Sequence, residues 1–210
     1  LAGGWNTGWV CRHDLAEACR LATQYMTPVM LLTDGYIANA AEPWKVPDPE
    51  GFEPFPAKFL EEPRGEELLP YKRDEKGSRP WIKPGTPGLM HRIGGLEKED
   101  GSGNVSYDGA NHAHMMALRA ERIARIQVPD AEVSGDADAD LLLIGWGSTW
   151  GAIAAAVRRV RRSGRKVAHV HLTHLNPMPA NLGEVLSDFS TILVPEMNLG
   201  QLVRMLRDEY

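Results

Sequence analysis

Cysteine is nearly absent from this chain: Cys11 and Cys19 are the two in 210 residues. Standing eight residues apart on an expected helix, more than two turns, they cannot bond to each other there. Nor can two thiolates supply the four that hold an iron–sulfur cluster. With no disulfide framework and no signal peptide, the composition favours a reducing, cytoplasmic setting. Long hydrophobic runs are missing too, which excludes a membrane span. Positive charge is in deficit, 23 Lys and Arg against 28 Asp and Glu for a net charge of -5, and no footprint for nucleic acid results. The basic cluster Arg158 to Arg165 is accounted for as the end of one helix. There is no Gly-x-Ser-x-Gly elbow and no Gly-Lys-Ser or Gly-Lys-Thr phosphate loop. Leu1 to Trp9 carries neither an initiating methionine nor a cap signal, and is expected to be a cut end.

What the chain does have is centred on Ala139 to Arg162. The apolar run Ala139 to Ile144 has the length of a buried strand, and Gly145-Trp146-Gly147-Ser148-Thr149 supplies a turn with a capping hydroxyl. From Trp150, Ile153, Val157 and Val160 fall on one helical face, while Arg158, Arg159, Arg161 and Arg162 crowd the last turn before Gly164. Further strands are expected from Lys166 to Leu172 and from Thr191 to Val194, with a final helix over Asn198 to Asp208. Strand, helix, strand implies a right-handed crossover and a parallel sheet. Ligands of such sheets bind at the carboxyl ends of the strands, here Gly145 to Ser148, Thr173 to Pro179 and Pro195 to Gly200.

Upstream, Asp14 can cap a helix that buries Leu15, Ala18, Cys19, Ala22 and Tyr25, with Pro28 past its end. Val29 to Leu32 reads as a short strand and Asp34-Gly35 as its turn, a helix and strand orphaned from a larger sheet. Prolines recur from Glu42 to Pro87, a linker that Trp44, Phe52, Phe55, Phe59, Tyr71 and Trp81 predict will wrap a surface. Gly94 to Asn104 is a glycine-rich charged loop. Asn111 to Ile126 is an amphipathic helix with Met115, Leu118 and Ile123 inward and Arg119, Glu121, Arg122 and Arg125 interleaved. Asp130 to Asp138 reads as an acidic surface link.

Candidate chemistry meets a plain alternative at each place. Gly145, Gly147 and Gly151 invite a dinucleotide site, but the third glycine is one residue late and no acidic residue ends the second strand. His169 and His171 share a strand face near His174, as His112 and His114 share a helix start. Without Asp, Glu or Cys beside them, the strand histidines fit a core or an interface better than a metal. Asp100-Gly101-Ser102-Gly103-Asn104 begins like a calcium loop, yet Val105 replaces the sixth-position glycine and Asn111 the twelfth-position glutamate. It reads either as a turn whose backbone amides meet an anion or as a solvated loop.

Longer strings carry a family resemblance. Tyr25-Met26-Thr27-Pro28-Val29, Leu32-Thr33-Asp34-Gly35-Tyr36, Glu42-Pro43-Trp44, Arg79-Pro80-Trp81 and Pro84-Gly85-Thr86-Pro87-Gly88 stand in order before His91 to Gly101 and Gly103-Asn104-Val105-Ser106-Tyr107. Gly145-Trp146-Gly147-Ser148, His174-Leu175-Asn176-Pro177 and Pro195 to Leu202 follow. From about Asp14 to its end, the chain resembles the carboxyl-terminal part of the alpha subunit of 2-oxoacid:ferredoxin oxidoreductases of the 2-oxoglutarate type.

The resemblance implies oxidative decarboxylation of a 2-oxoacid to acyl-coenzyme A, with reduction of ferredoxin. It places thiamine diphosphate, Mg2+ and a [4Fe-4S] cluster in a partner beta subunit of an alpha-beta hetero-oligomer, which leaves this chain without a cofactor and inactive alone. It implies an α/β fold in three parts. Residues 1–41 would be the last helix and strand of a pyrimidine-type thiamine domain, 42–110 the wrapping linker with its glycine-rich loop, and 111–210 a parallel-sheet transketolase C-terminal-like domain. The loop from His91 to Asn104 would lie on the coenzyme A side, with Arg92 and Lys98 as phosphate partners and Glu97, Asp100 and Asn104 ordering the turn. A structural subunit-interface module and a free-standing nucleotide-binding domain are the other two readings of the sequence.

Overall fold

The computed structural model describes residues 14–39, 41, 48–51, 54–62, 69–136 and 138–210. In chain order the elements are α1 (Leu15–Gln24), α2 (Gly35–Asn39), β1 (Phe59–Leu60), β2 (Trp81–Ile82), α3 (Gly109–Ala124), β3 (Val133–Gly135), β4 (Leu141–Trp146), α4 (Trp150–Arg162), β5 (Ala168–Leu172), α5 (Leu182–Ser187), β6 (Thr191–Leu193) and α6 (Gln201–Glu209). Two compact units emerge so far as the residues are described. One is drawn from 1–18, 29–51 and 128–210, the other from 19–28 and 52–127.

The first unit is built on a four-stranded sheet in the order β3-β5-β4-β6. The expected parallel core is there: β4 runs parallel to β5, with Leu142 opposite Ala168, and parallel to β6, with Leu141 opposite Thr191. The sheet is nonetheless mixed, because β3 pairs antiparallel to β5 with Val133 opposite Val170. This corrects the purely parallel expectation and the reading of Asp130 to Asp138 as a bare link. All three residues of β3 are exposed, so a half-buried alternation never reached the sequence.

Pleating sends alternate side chains to opposite faces. Leu142 and Ile144 of β4 join Val170 and Leu172 of β5 against Leu182, Leu186, Leu202 and Leu206 of α5 and α6. Leu143 faces the other way, onto Ile153 and Val157 of α4 and Val167. Each fully buried Leu or Ile here contributes about 1.5–3 kcal/mol. Helix α5, not foreseen, has only six residues and stands on two of these leucines.

Two upstream expectations change. Val29 to Leu32 forms none of the strands; Leu32 makes an isolated bridge and Met30 is exposed, since four apolar residues do not supply the neighbour a ladder requires. In α1 the buried residues are Ala18 and Leu21, with Tyr25 buried just past its end, a tighter stripe than predicted, and Leu15 and Cys19 are exposed. Cys11, Trp44 and Phe52 lie outside the described residues.

In the second unit Ser78 and Trp81 of the linker reach back to the end of α1. The last carbonyls of α1, which have no partner within a helix, are met from far downstream. Trp81 Nε1 donates to the Thr23 carbonyl at 2.9 Å and Ser78 Oγ to that of Gln24 at 3.2 Å. Trp81 also sits in β2, parallel to β1, and Phe59 lies against its ring. Helix α3 belongs to this unit; the Asp108 carboxylate accepts from the Asn111 amide at its amino end.

Candidate functional site

The glycine-rich loop is tied down by Tyr71. Its amide donates to the Gly101 carbonyl at 3.0 Å, and its hydroxyl donates to the carbonyls of Arg92 at 2.8 Å and Ile93 at 3.1 Å. Gly103 makes this approach possible: with φ at +75°, a Cβ there would lie 2.2 Å from the Tyr71 ring. Glu99 and Asn104 close the turn, the Glu99 amide donating to the Asn104 carbonyl at 2.7 Å beside an antiparallel bridge from Lys98 to Val105. It is a hairpin-like turn, with none of the converging ligand set of a calcium loop.

The charged residues of this loop take individual positions. Lys98 is buried and points inward, its Nζ donating to the Gly94 and Leu96 carbonyls, so its ammonium holds the loop's own backbone. Glu97 accepts from Arg119 and contacts His112; that hydrogen bond to His112 first, offset by some burial, and then Arg119 hold its carboxyl below the ordinary range. Asp100 pairs with Arg73 and, at 3.1 Å, with His114. Arg92 is exposed, and Asn104 acts through its backbone.

Behind the loop lies a cavity of about 390 Å³. The linker gives it Tyr71, Arg73 and Arg79, the loop Glu97 and Lys98, and α3 Arg119 and Arg122. Arg79 stacks its guanidinium over the Tyr71 ring at 5.0 Å. Arg122 is half-buried, its Nε has no hydrogen-bond partner, and burial, then Arg73 and Arg119, hold its pKa below the usual range. Arg119 and Arg122 read in sequence as the solvated face of an amphipathic helix. The available signal was their spacing from buried Met115, four and seven residues on, which places all three along one stripe. Arg92 and Asn104 do not line the cavity.

The carboxyl edge of the sheet is occupied by internal contacts of the first unit. Ser148 donates to the Asp34 carboxylate, joining two of the strings singled out above. His174 is buried, 3.8 Å from Glu17. Glu196 accepts from the amides of Leu202 at 2.9 Å and Val203 at 3.2 Å, from Asn198, and from the Trp146 indole at 3.2 Å. Burial raises its pKa, but those donors outweigh burial and leave it lowered. His169 and His171 lie edge to face, centroids 6.1 Å apart; burial first, then His169, presses His171 down to about 4. Among the described residues no group of three or more His, Cys, Asp or Glu could hold a metal ion.

Comparison with known proteins places this arrangement. Residues 139–209 match the family described as pyruvate:ferredoxin oxidoreductase core domain II. The chain is 52% identical over 202 residues to 2-oxoglutarate oxidoreductase subunit KorA of Mycobacterium tuberculosis, across 95% of this chain and 31% of that protein. Over nearly its whole length it is similar to part of the 2-oxoacid:ferredoxin oxidoreductase alpha subunits. One of these, 2-oxoacid:ferredoxin oxidoreductase 1, subunit alpha, of Aeropyrum pernix, is 30% identical over 213 residues, 94% of this chain and 32% of that one. The solved 2-oxoglutarate:ferredoxin oxidoreductase from Magnetococcus marinus, with 2-oxoglutarate, coenzyme A and succinyl-CoA bound, superposes with a TM-score of 0.85 at 30% identity. That match covers 99% of this chain and 37% of the solved one. The chain thus spans about a third of the length of these relatives. No helix of the described residues is long and apolar enough to cross a membrane.

Proposed function

We propose that this chain serves as the carboxyl-terminal part of the alpha subunit of a cytoplasmic, thiamine-diphosphate-dependent 2-oxoglutarate:ferredoxin oxidoreductase. The observation that carries the reading is the 52% identity across 95% of the chain to a 2-oxoglutarate oxidoreductase subunit. In such an enzyme the 2-oxoacid loses CO2, its electron pair passes to ferredoxin and the acyl group ends on the coenzyme A thiol. Two cysteines do not fit a four-cysteine cluster, and the described residues offer no metal-holding group. On the likeness to such enzymes we assign thiamine diphosphate, Mg2+ and the [4Fe-4S] cluster to a partner beta subunit in an alpha-beta hetero-oligomer, and expect this chain to be inactive alone. Residues 1–41 would end a pyrimidine-type thiamine domain, 42–110 form the linker, and 111–210 form the transketolase C-terminal-like domain.

The loop from His91 to Asn104 faces the coenzyme A side in this reading. Exposed Arg92 is the side chain that can meet a phosphate. Lys98, Glu97, Asp100 and Asn104 shape the loop, through the backbone carbonyls, Arg119 and Arg73 already described. In the assembled enzyme, Arg92→Gln is expected to raise KM for coenzyme A about tenfold, the loss of one charge-assisted hydrogen bond. Reduction of the cluster by 2-oxoglutarate without coenzyme A should be unaffected. Equal loss in both assays, or no change in either, would remove the loop from the site.

A further inference from the structure

The cavity behind the glycine-rich loop carries more positive charge than its own residues neutralise. Five cations line it, Arg73, Arg79, Lys98, Arg119 and Arg122, against one lining carboxylate, Glu97. Asp100 reaches Arg73 from outside the lining, which leaves three cations in excess. Lys98 is spent on backbone carbonyls, and Arg119 on Glu97. Arg79 and Arg122 have no ion-pair partner among the described residues. The Nε–H of Arg122 is buried and unmet, a costly condition for a strong donor that an acceptor in the cavity would relieve.

From this geometry we infer that the cavity is a binding site for a diphosphate-bearing anion, with Arg79 and Arg122 as its principal ligands. Guanidinium groups present paired N–H donors that match phosphoryl oxygens two at a time. A single carboxylate would balance only one of the three excess charges, whereas a diphosphate spreads about two to three negative charges over its two phosphoryl groups. The volume of about 390 Å³ lies at the small end of ligand pockets, enough for a diphosphate and the start of what it is attached to. Tyr71 fixes the site by holding the loop through its hydroxyl and amide and Arg79 through its ring face. The inference goes beyond the proposed function and stands or falls apart from it, because it rests on this cavity's charge and unmet donor.

The test is calorimetric titration of inorganic pyrophosphate into the full-length protein that carries this sequence, in low-salt buffer, with thiamine diphosphate saturating. Stoichiometric binding is expected. It should weaken at least tenfold in Arg79→Gln/Arg122→Gln and stay unchanged in the exposed control Arg158→Gln/Arg159→Gln. Pyrophosphate should also raise the thermal midpoint of the parent protein and leave that of the double variant in place, which separates lost binding from lost folding. Saturating coenzyme A abolishes the pyrophosphate heat if the diphosphate comes from that cofactor, and leaves it if a separate phosphorylated ligand is the occupant. No heat in the parent, equal heat in the double variant, or acetate binding as tightly as pyrophosphate would overturn the inference.

Discussion

At Gly145 the end of β4 leaves room for two other side chains. A Cβ there would meet Ile153 Cδ1 at 2.4 Å and Thr149 Oγ1 at 3.0 Å. Gly145→Ala should therefore cost about 1–3 kcal/mol by overpacking, and less in an Ile153→Val background that lacks the clashing methyl; urea denaturation of the four proteins measures both. Across the ladder from Gly145 stands His171, held neutral down to about 4 by burial and by His169. Its folded pKa lies below that of the unfolded chain, about 6.5, so the unfolded state takes the proton first. The stability it contributes is complete above 6.5 and lost as pH falls toward 4, up to about 2 kcal/mol by pH 5. A thermal midpoint that falls from pH 7 to pH 5, and falls less in His171→Gln, would bear this out; identical pH profiles would not.

At the scale of elements, β4, α4, β5 and α6 were legible because each carries its own periodicity. Leu142, Leu143 and Ile144 form a run buried on both faces, and Ile153 and Val157 keep helical spacing. What stayed hidden depends on distant partners. The segment leading into β3 is fixed by Asn181, whose Oδ1 accepts the Ala131 amide at 2.8 Å while its Nδ2 donates to the Ala131 carbonyl at 3.0 Å. No local pattern announces a contact across fifty residues. Asn181→Ala should destabilise the protein by about 1–3 kcal/mol, since it orphans both backbone groups of the buried Ala131. Asn181→Asp keeps the acceptor and loses the donor, so its midpoint in a denaturant titration should fall between the two. The same reason hid the cavity: Arg73 and Arg79 come from a proline-rich linker and Arg119 and Arg122 from a helix. Lys98 read as a phosphate partner, and its inward turn onto the Gly94 and Leu96 carbonyls cannot be read from a charged residue among glycines.

For the whole molecule, the strings of sequence that suggested the family lie where they hold structure together. Asp34 meets Ser148, Glu196 caps α6 beneath Trp146, and Trp81 closes the end of α1. The chain offers, in one unit, a packed sheet and, in the other, a cationic cavity behind the glycine-rich loop. The most direct measurement is coenzyme A-dependent reduction of ferredoxin by 2-oxoglutarate, assayed on the full-length protein that carries this sequence, on its beta partner and on the two reconstituted together. Turnover is expected in the reconstituted sample and in neither component. Turnover by the full-length protein alone, or by the partner at the same rate without it, would contradict the account.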